Sequence, residues 1–89
     1  MYTNHALVRM QQRAISQSTI EALLEFGEIE FHRGCEVFSL RKSICKKLIK
    51  LKIISKSLFE KLNGTYVIMK GDLVITVGHR YRRFKRSRK

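Results

Sequence analysis

Two apolar runs, TYVIM and LVITV, flank KGD toward the end of the chain. Both are rich in residues that favour strands, and Gly71 with Asp72 suits a tight connection. Residues 65–77 therefore predict a β-hairpin, the clearest structural signal in the sequence. A chain of 89 residues has room for one core, so every other element must join this hairpin in a single domain.

A second hairpin is predicted upstream, where EIEFH and CEVFSL alternate apolar and polar residues around Arg33-Gly34. The opening TNHALVRMQQR predicts a helix capped by Thr3 or Asn4. At 100° per residue, Ala6, Leu7, Met10 and Ala14 fall on one side of it. His5, Arg9 and Arg13 form a polar stripe on the opposite side. A second helix begins at Ser16, with Ser18-x-x-Glu21 as a competing capping box. Ile20, Leu23 and Leu24 give it an apolar face, and Gly27 reads as its left-handed stop. Residues 41–62 read as helix in two pieces, broken near KIIS, with Ser55 or Ser57 capping the second and Asn63-Gly64 ending it. The expected fold is α+β over residues 1–89: two N-terminal helices, a β-hairpin, a helical segment, a second β-hairpin, and a four-stranded antiparallel sheet. Residues 85–89 are expected to form a flexible basic tail.

Charge narrows the function. Nineteen Lys and Arg oppose seven acids, for a formal +12 and a pI near 10.3. Such a field attracts RNA, DNA, an anionic membrane surface or an acidic protein. Five of the seven acids lie within residues 21–36, while most bases follow residue 40, so two unlike faces are expected. Cys35 and Cys45 form no C-x-x-C pair, and the reduced state of a cytoplasmic protein is expected. His32-x-x-Cys35 lacks further ligands at metal-site spacing, so neither a metal nor another cofactor is expected. No run approaches about 18 apolar residues, and the opening lacks a secretory apolar core, so no membrane association is expected. The lysine-rich amphipathic stretch 41–62 would suit an anionic membrane, but such helices more often pack their apolar side on a sheet. Glycine-rich phosphate loops and paired catalytic carboxylates are absent, and Asp72 is the sole aspartate. Nucleotide hydrolysis, glycoside chemistry and a Ser-His-Asp triad are disfavoured.

Two groups carry chemistry. His5, Arg9 and Arg13 set one titratable ring and two permanent cations along about 12 Å of helix. Metal-free phosphodiester cleavage needs such a set: a proton carrier, and cations for charge developing on phosphorus oxygens. The plainer reading is a solvated helix face. The second group is GHRYRRF, residues 78–84. On a continuing strand, His79, Tyr81 and Arg83 share one face, and Arg80, Arg82 and Phe84 the other. Arginine forks grip phosphates, and Tyr81 or Phe84 would stack on a base. Its plainer reading is an electrostatic tail.

HALVRMQQRAIS is similar to the His-Ala-x-x-Arg-Met-x-x-Arg-Gly-Ile-Ser opening of a widespread family of small bacterial and phage proteins. GTYVIMKGDLVITVGHRYRRFKR resembles that family's closing hairpin, where an Ile-Thr-Val strand runs into His-Arg and further bases. Together they span under half of the chain, and Ala14 departs from the family's usual glycine. The family in turn resembles the RelE, barnase, EndoU and colicin-nuclease group of small α+β folds, mostly metal-independent ribonucleases and many of them toxins. Carried over by position, the resemblance marks His5, Arg9, Arg13, Thr76, His79 and Arg80. It implies an RNA-directed, metal-independent, toxin-like endoribonuclease. One of His5 and His79 would take the 2′-hydroxyl proton, and the other would protonate the leaving oxygen. Arg9, Arg13 and Arg80 would stabilise the transition state, and Thr76 would orient a phosphate or a histidine. Tyr81, Arg82, Arg83 and Lys85 would hold the strand. The alternatives are a non-catalytic nucleic-acid-binding module and a basic protein that docks on an acidic antitoxin or inhibitor.

Overall fold

A computed structural model describes residues 1–80 of the chain. Tyr81, Arg82, Arg83, Phe84 and Lys85, and with them the expected tail, lie outside the described residues.

Helix α1 (Asn4–Arg13) starts at Thr3, whose hydroxyl accepts the Ala6 N–H at 3.0 Å. It ends in a Schellman closure, with the Ile15 N–H donating to the Met10 carbonyl at 2.8 Å. The closure places Ala14 in the left-handed region at φ 54°, where a glycine would fit without strain. Helix α2 (Gln17–Phe26) is capped by Ser16, which receives the Thr19 N–H at 3.3 Å, so Ser16 prevails over the competing box at Ser18.

Gly27 corrects an expectation. Its backbone is extended, with φ −72° and ψ 157°, so it is no left-handed stop. Glycine is needed there for space, because a Cβ would collide with the Leu23 carbonyl oxygen and come within 3.2 Å of that of Ser39.

Strands β1 (Glu28–His32) and β2 (Cys35–Ser39) pair antiparallel around Arg33 and Gly34. Both turn residues have positive φ, 54° and 80°, the requirement of a type I′ turn. Helices α3 (Lys42–Lys50) and α4 (Lys56–Leu62) follow, and Ser55 caps α4 by accepting the Leu58 N–H at 3.0 Å. Strands β3 (Thr65–Lys70) and β4 (Leu73–His79) form the predicted second hairpin, with Gly71 at φ 61° in its turn. The sheet order is β1-β2-β3-β4, antiparallel throughout, so the expected α+β architecture is the observed one.

Burial follows strand alternation. Phe38, Val67 and Val77 join Ile20, Leu23 and Leu62 of the helices in one core. Their alternating neighbours Val37, Tyr66 and Ile68 do not belong to that cluster. Side chains two apart on a strand share a face. The helices therefore cover one face of the sheet and leave the other open. Among the described residues no helix is long and apolar enough to cross a membrane.

The edge at β4 is closed by the chain's own start. Tyr2 bridges Val74, and the Thr3 N–H donates to the Val74 carbonyl at 3.0 Å. The register shifts between Ile68 and Met69, which leaves Ile75 as an extra residue on β4. The Thr3 hydroxyl donates to the Ile75 carbonyl at 3.0 Å, so a single side chain caps α1 and ties it to the bulge. From that anchor α1 runs along β4.

This docking rotates α1 from the orientation expected of it. Ala6 is fully buried and Met10 half-buried, but Leu7 and Val8 are each 49% exposed. Arg9 is half-buried, and its Nε is shielded from solvent with no hydrogen-bond partner among the described residues. Of the His5–Arg9–Arg13 stripe only Arg9 thus turns toward the core side, while His5 and Arg13 stay exposed, and the Thr3 anchor helps set this roll of the helix.

Candidate nucleic-acid interface

His79 and Arg80 are adjacent, yet they belong to opposite faces of the sheet. His79 pairs with Thr65, which is buried on the helix-covered side. Its Nδ1 lies 3.3 Å from the Thr65 hydroxyl, and its Nε2 lies 3.4 Å from the Arg13 carbonyl at the end of α1. The Thr65 hydroxyl donates its proton to the Lys61 carbonyl at 2.8 Å, so it can only accept from the ring. A carbonyl also only accepts. The ring therefore donates wherever one of its nitrogens bonds to either partner. His79 joins three elements: β4, the end of α1, and through Thr65 the α4–β3 junction.

The structure does not bring His5 to this ring. His5 is exposed in the first turn of α1, and Arg13 lies eight residues later, about 12 Å along the axis at 1.5 Å per residue. Arg13 meets His79 through its main chain, and its side chain is exposed.

Arg80 turns to the open face. Its N–H donates to the Gly64 carbonyl, and its guanidinium lies over the Tyr66 ring, 5.8 Å from the centroid. The ring rests on Gly78, where a Cβ would come within 2.7 Å of the phenol oxygen. Glycine at 78 gives the ring a flat seat on the sheet, a use of strand glycine that close approach explains. Thr76 pairs with Ile68 and shares this face.

The open face carries a cleft lined by Glu30, His32, Val37, Tyr66, Ile68 and Arg80. Its floor is apolar and aromatic, with an acid and a histidine on β1 and an arginine at the opposite side. A second cleft adjoins it at Arg80 and runs between the start of α3 and the Asn63–Thr65 turn. Arg41, at the start of α3, donates from Nε and Nη2 to the two Glu28 carboxylate oxygens at 2.9 and 2.7 Å. That hydrogen-bonded pair holds the Glu28 carboxyl below its ordinary range. Cys35 and Cys45 are free, and burial pushes the Cys45 thiol up.

Sequence reasoning thus marked Thr76, His79 and Arg80 but missed Tyr66, Glu30 and His32. Two cues for Tyr66 were present: TYVIM is apolar at consecutive positions, which gives the sheet a second apolar face, and Gly78 interrupts β4. For Glu30 and His32 the cue was their shared parity on β1, which gains meaning only once the β1-β2-β3 order is known.

These features define a small basic α+β domain with one sheet face covered by helices and an aromatic, arginine-bearing face left open. The family described as a domain of unknown function (DUF4258) matches residues 2–56, more than half of the chain, and the chain belongs to it. The matched stretch runs from the β4-anchoring start through α3 and ends before β3 and β4. No curated protein and no solved structure matches the chain.

Proposed function

We propose that this chain is an RNA-directed protein that holds a single-stranded segment on the open face of its sheet. The observation that carries this is the Tyr66 ring seated on Gly78 beneath the Arg80 guanidinium. Aromatic rings on a sheet bind unpaired bases by stacking, and an arginine beside them grips the phosphate. At 5.8 Å the guanidinium is near the outer limit of cation–π contact, so an incoming base displaces it from the ring and leaves it at the backbone. The formal +12 supplies long-range attraction. The choice of RNA over DNA rests on the resemblance of the chain's two ends to the ribonuclease group. The test is fluorescence anisotropy with a short unstructured RNA. Tyr66→Ala and Arg80→Ala should each weaken binding about tenfold or more, at roughly 1–3 kcal/mol per stacked base. Unchanged affinity in both variants would overturn the reading.

The finer reading is metal-independent cleavage on the same face. Glu30, His32 and Arg80 line one cleft, and residues two apart on a strand lie about 7 Å apart on the same side. In that reading Glu30 accepts the 2′-hydroxyl proton as O2′ attacks phosphorus. The P–O5′ bond breaks to leave a 2′,3′-cyclic phosphate, and His32 gives its proton to O5′. Arg80 holds the charge that develops on the non-bridging oxygens. His5 and His79, expected from the sequence as the acid–base pair, are separated by two turns of α1, and the His79 ring is engaged by Thr65 and Arg13. Cleavage that persists in chelator and drops at least a hundredfold in Glu30→Gln and His32→Ala is the expected result. Undiminished cleavage in the double variant would refute this assignment.

A further inference from the structure

The cleft that adjoins the open face has a chemistry of its own. Its lining includes Ser39, Arg41, Lys42, Ser43, Asn63 and Arg80, and among the described residues no acidic side chain borders it. Its volume of about 480 Å³ is in the range of clefts that take a ligand. The neighbouring cleft differs: it has Tyr66, Val37 and Ile68 as an apolar floor and Glu30 on its rim. Arg80 borders both. Ser39 and Tyr66 are cross-strand partners, so the two clefts meet along one row of the sheet.

We infer that this second cleft is a backbone-phosphate subsite, and that the protein takes consecutive nucleotides of one strand across Arg80. The inference rests on the proposed RNA-directed function. The base of one nucleotide occupies the apolar cleft at Tyr66, and the phosphate of its neighbour occupies the cleft of Arg41 and Lys42. Three cations and the hydroxyls of Ser39 and Ser43 provide donors for phosphate oxygens, and the described lining holds no carboxylate to repel them. Glu28 lies outside that lining and grips Arg41 with both oxygens, in competition with phosphate for the same fork. The competition gives Glu28 a restraining role: it limits how much of Arg41 the strand obtains.

The measurement is anisotropy of a labelled hexauridylate over a range of salt concentrations. Removing one cation that neutralises a phosphate should flatten the slope of log K against log salt by about 0.7 for a single strand. Arg41→Gln and Lys42→Gln should each flatten it by about that amount, and Glu28→Gln should tighten binding by freeing Arg41. Lys56→Gln, an exposed lysine outside both clefts, controls for net charge. If Arg41→Gln and Lys42→Gln change the slope no more than Lys56→Gln while Tyr66→Ala still weakens binding, the subsite is wrong and the open-face reading stands. If Glu28→Gln weakens binding, Arg41 has no part in the subsite. If Tyr66→Ala and Arg80→Ala leave affinity unchanged, the reading beneath the subsite fails and the subsite fails with it.

Discussion

The two faces of the sheet are built from alternate residues of the same strands, yet they do different work. On the covered face, Val67 and Val77 are wholly buried against helices, and the polar pair Thr65–His79 closes the row. On the open face, Tyr66, Ile68 and Thr76 stand outside the helix-packed core, and the Arg80 guanidinium lies over the Tyr66 ring. A single step along β4 moves from a histidine that holds the fold to an arginine that faces solvent. Adjacency in sequence is therefore a poor guide to shared function in a strand, because alternation separates neighbours by the thickness of the sheet.

The sharpest way to test this division is to remove volume from each face. Leu23 is fully buried in the core, and Leu23→Ala should destabilise the domain by about 2–5 kcal/mol in urea titrations. Ile68 is half-buried outside that core, and Ile68→Ala should cost under about 1 kcal/mol. Equal losses would mean that the open face is structurally as important as the covered one.

A narrower comparison sets His79→Ala against Arg80→Ala. The first removes the ring's contacts to the Thr65 hydroxyl and to the Arg13 carbonyl at the end of α1. It should lower stability by about 1–2 kcal/mol, at roughly 0.5–1.5 kcal/mol per hydrogen bond, and leave RNA affinity unchanged. The second should do the reverse. A loss of binding in His79→Ala at full stability would return that ring to the functional site and undo the division between the faces.

How far the sequence discloses this molecule depends on which residues carry the signal. Both hairpins are legible because their turns, Arg33-Gly34 and Gly71-Asp72, are local and demand special backbone angles. The Ser16 and Ser55 caps are legible for the same reason. The roll of α1 is not, because Thr3 helps set it through a bond to Ile75, seventy-two positions away. The candidate site divides in the same manner. Thr76, His79 and Arg80 are visible at the end of a basic strand, but their distribution between two faces depends on the pairing of β3 with β4. Tyr66, Glu30 and His32 become a group only through the order of the strands.

Ala14 joins local and distant information. The resemblance marks the position as glycine in related chains, and the closure of α1 explains why: φ is 54° there. Ala14→Gly should raise stability by about 1 kcal/mol, the usual penalty for a side chain in the left-handed region. Thermal denaturation checks it. No gain would mean that the Ile15–Met10 bond already compensates for the strain.

The smallest effect expected concerns Glu28, at the acid-rich end of the open face. Its carboxyl is held below the ordinary range, chiefly by the hydrogen bond from Arg41. In the unfolded chain that partner is gone, and the group titrates near its ordinary value of about 4.3. A carboxyl whose folded value is depressed adds stability above the unfolded value and loses it as pH falls through the folded one. The wild-type advantage over Glu28→Gln should therefore be constant near neutrality, shrink below about pH 4.3, and vanish once the folded carboxyl is protonated. High salt should shrink it too, since the pair is exposed. A difference that instead persists in acid would show that Glu28 steadies the start of α3 by shape and not by charge, and it would remove the basis for competition between Glu28 and a phosphate for Arg41.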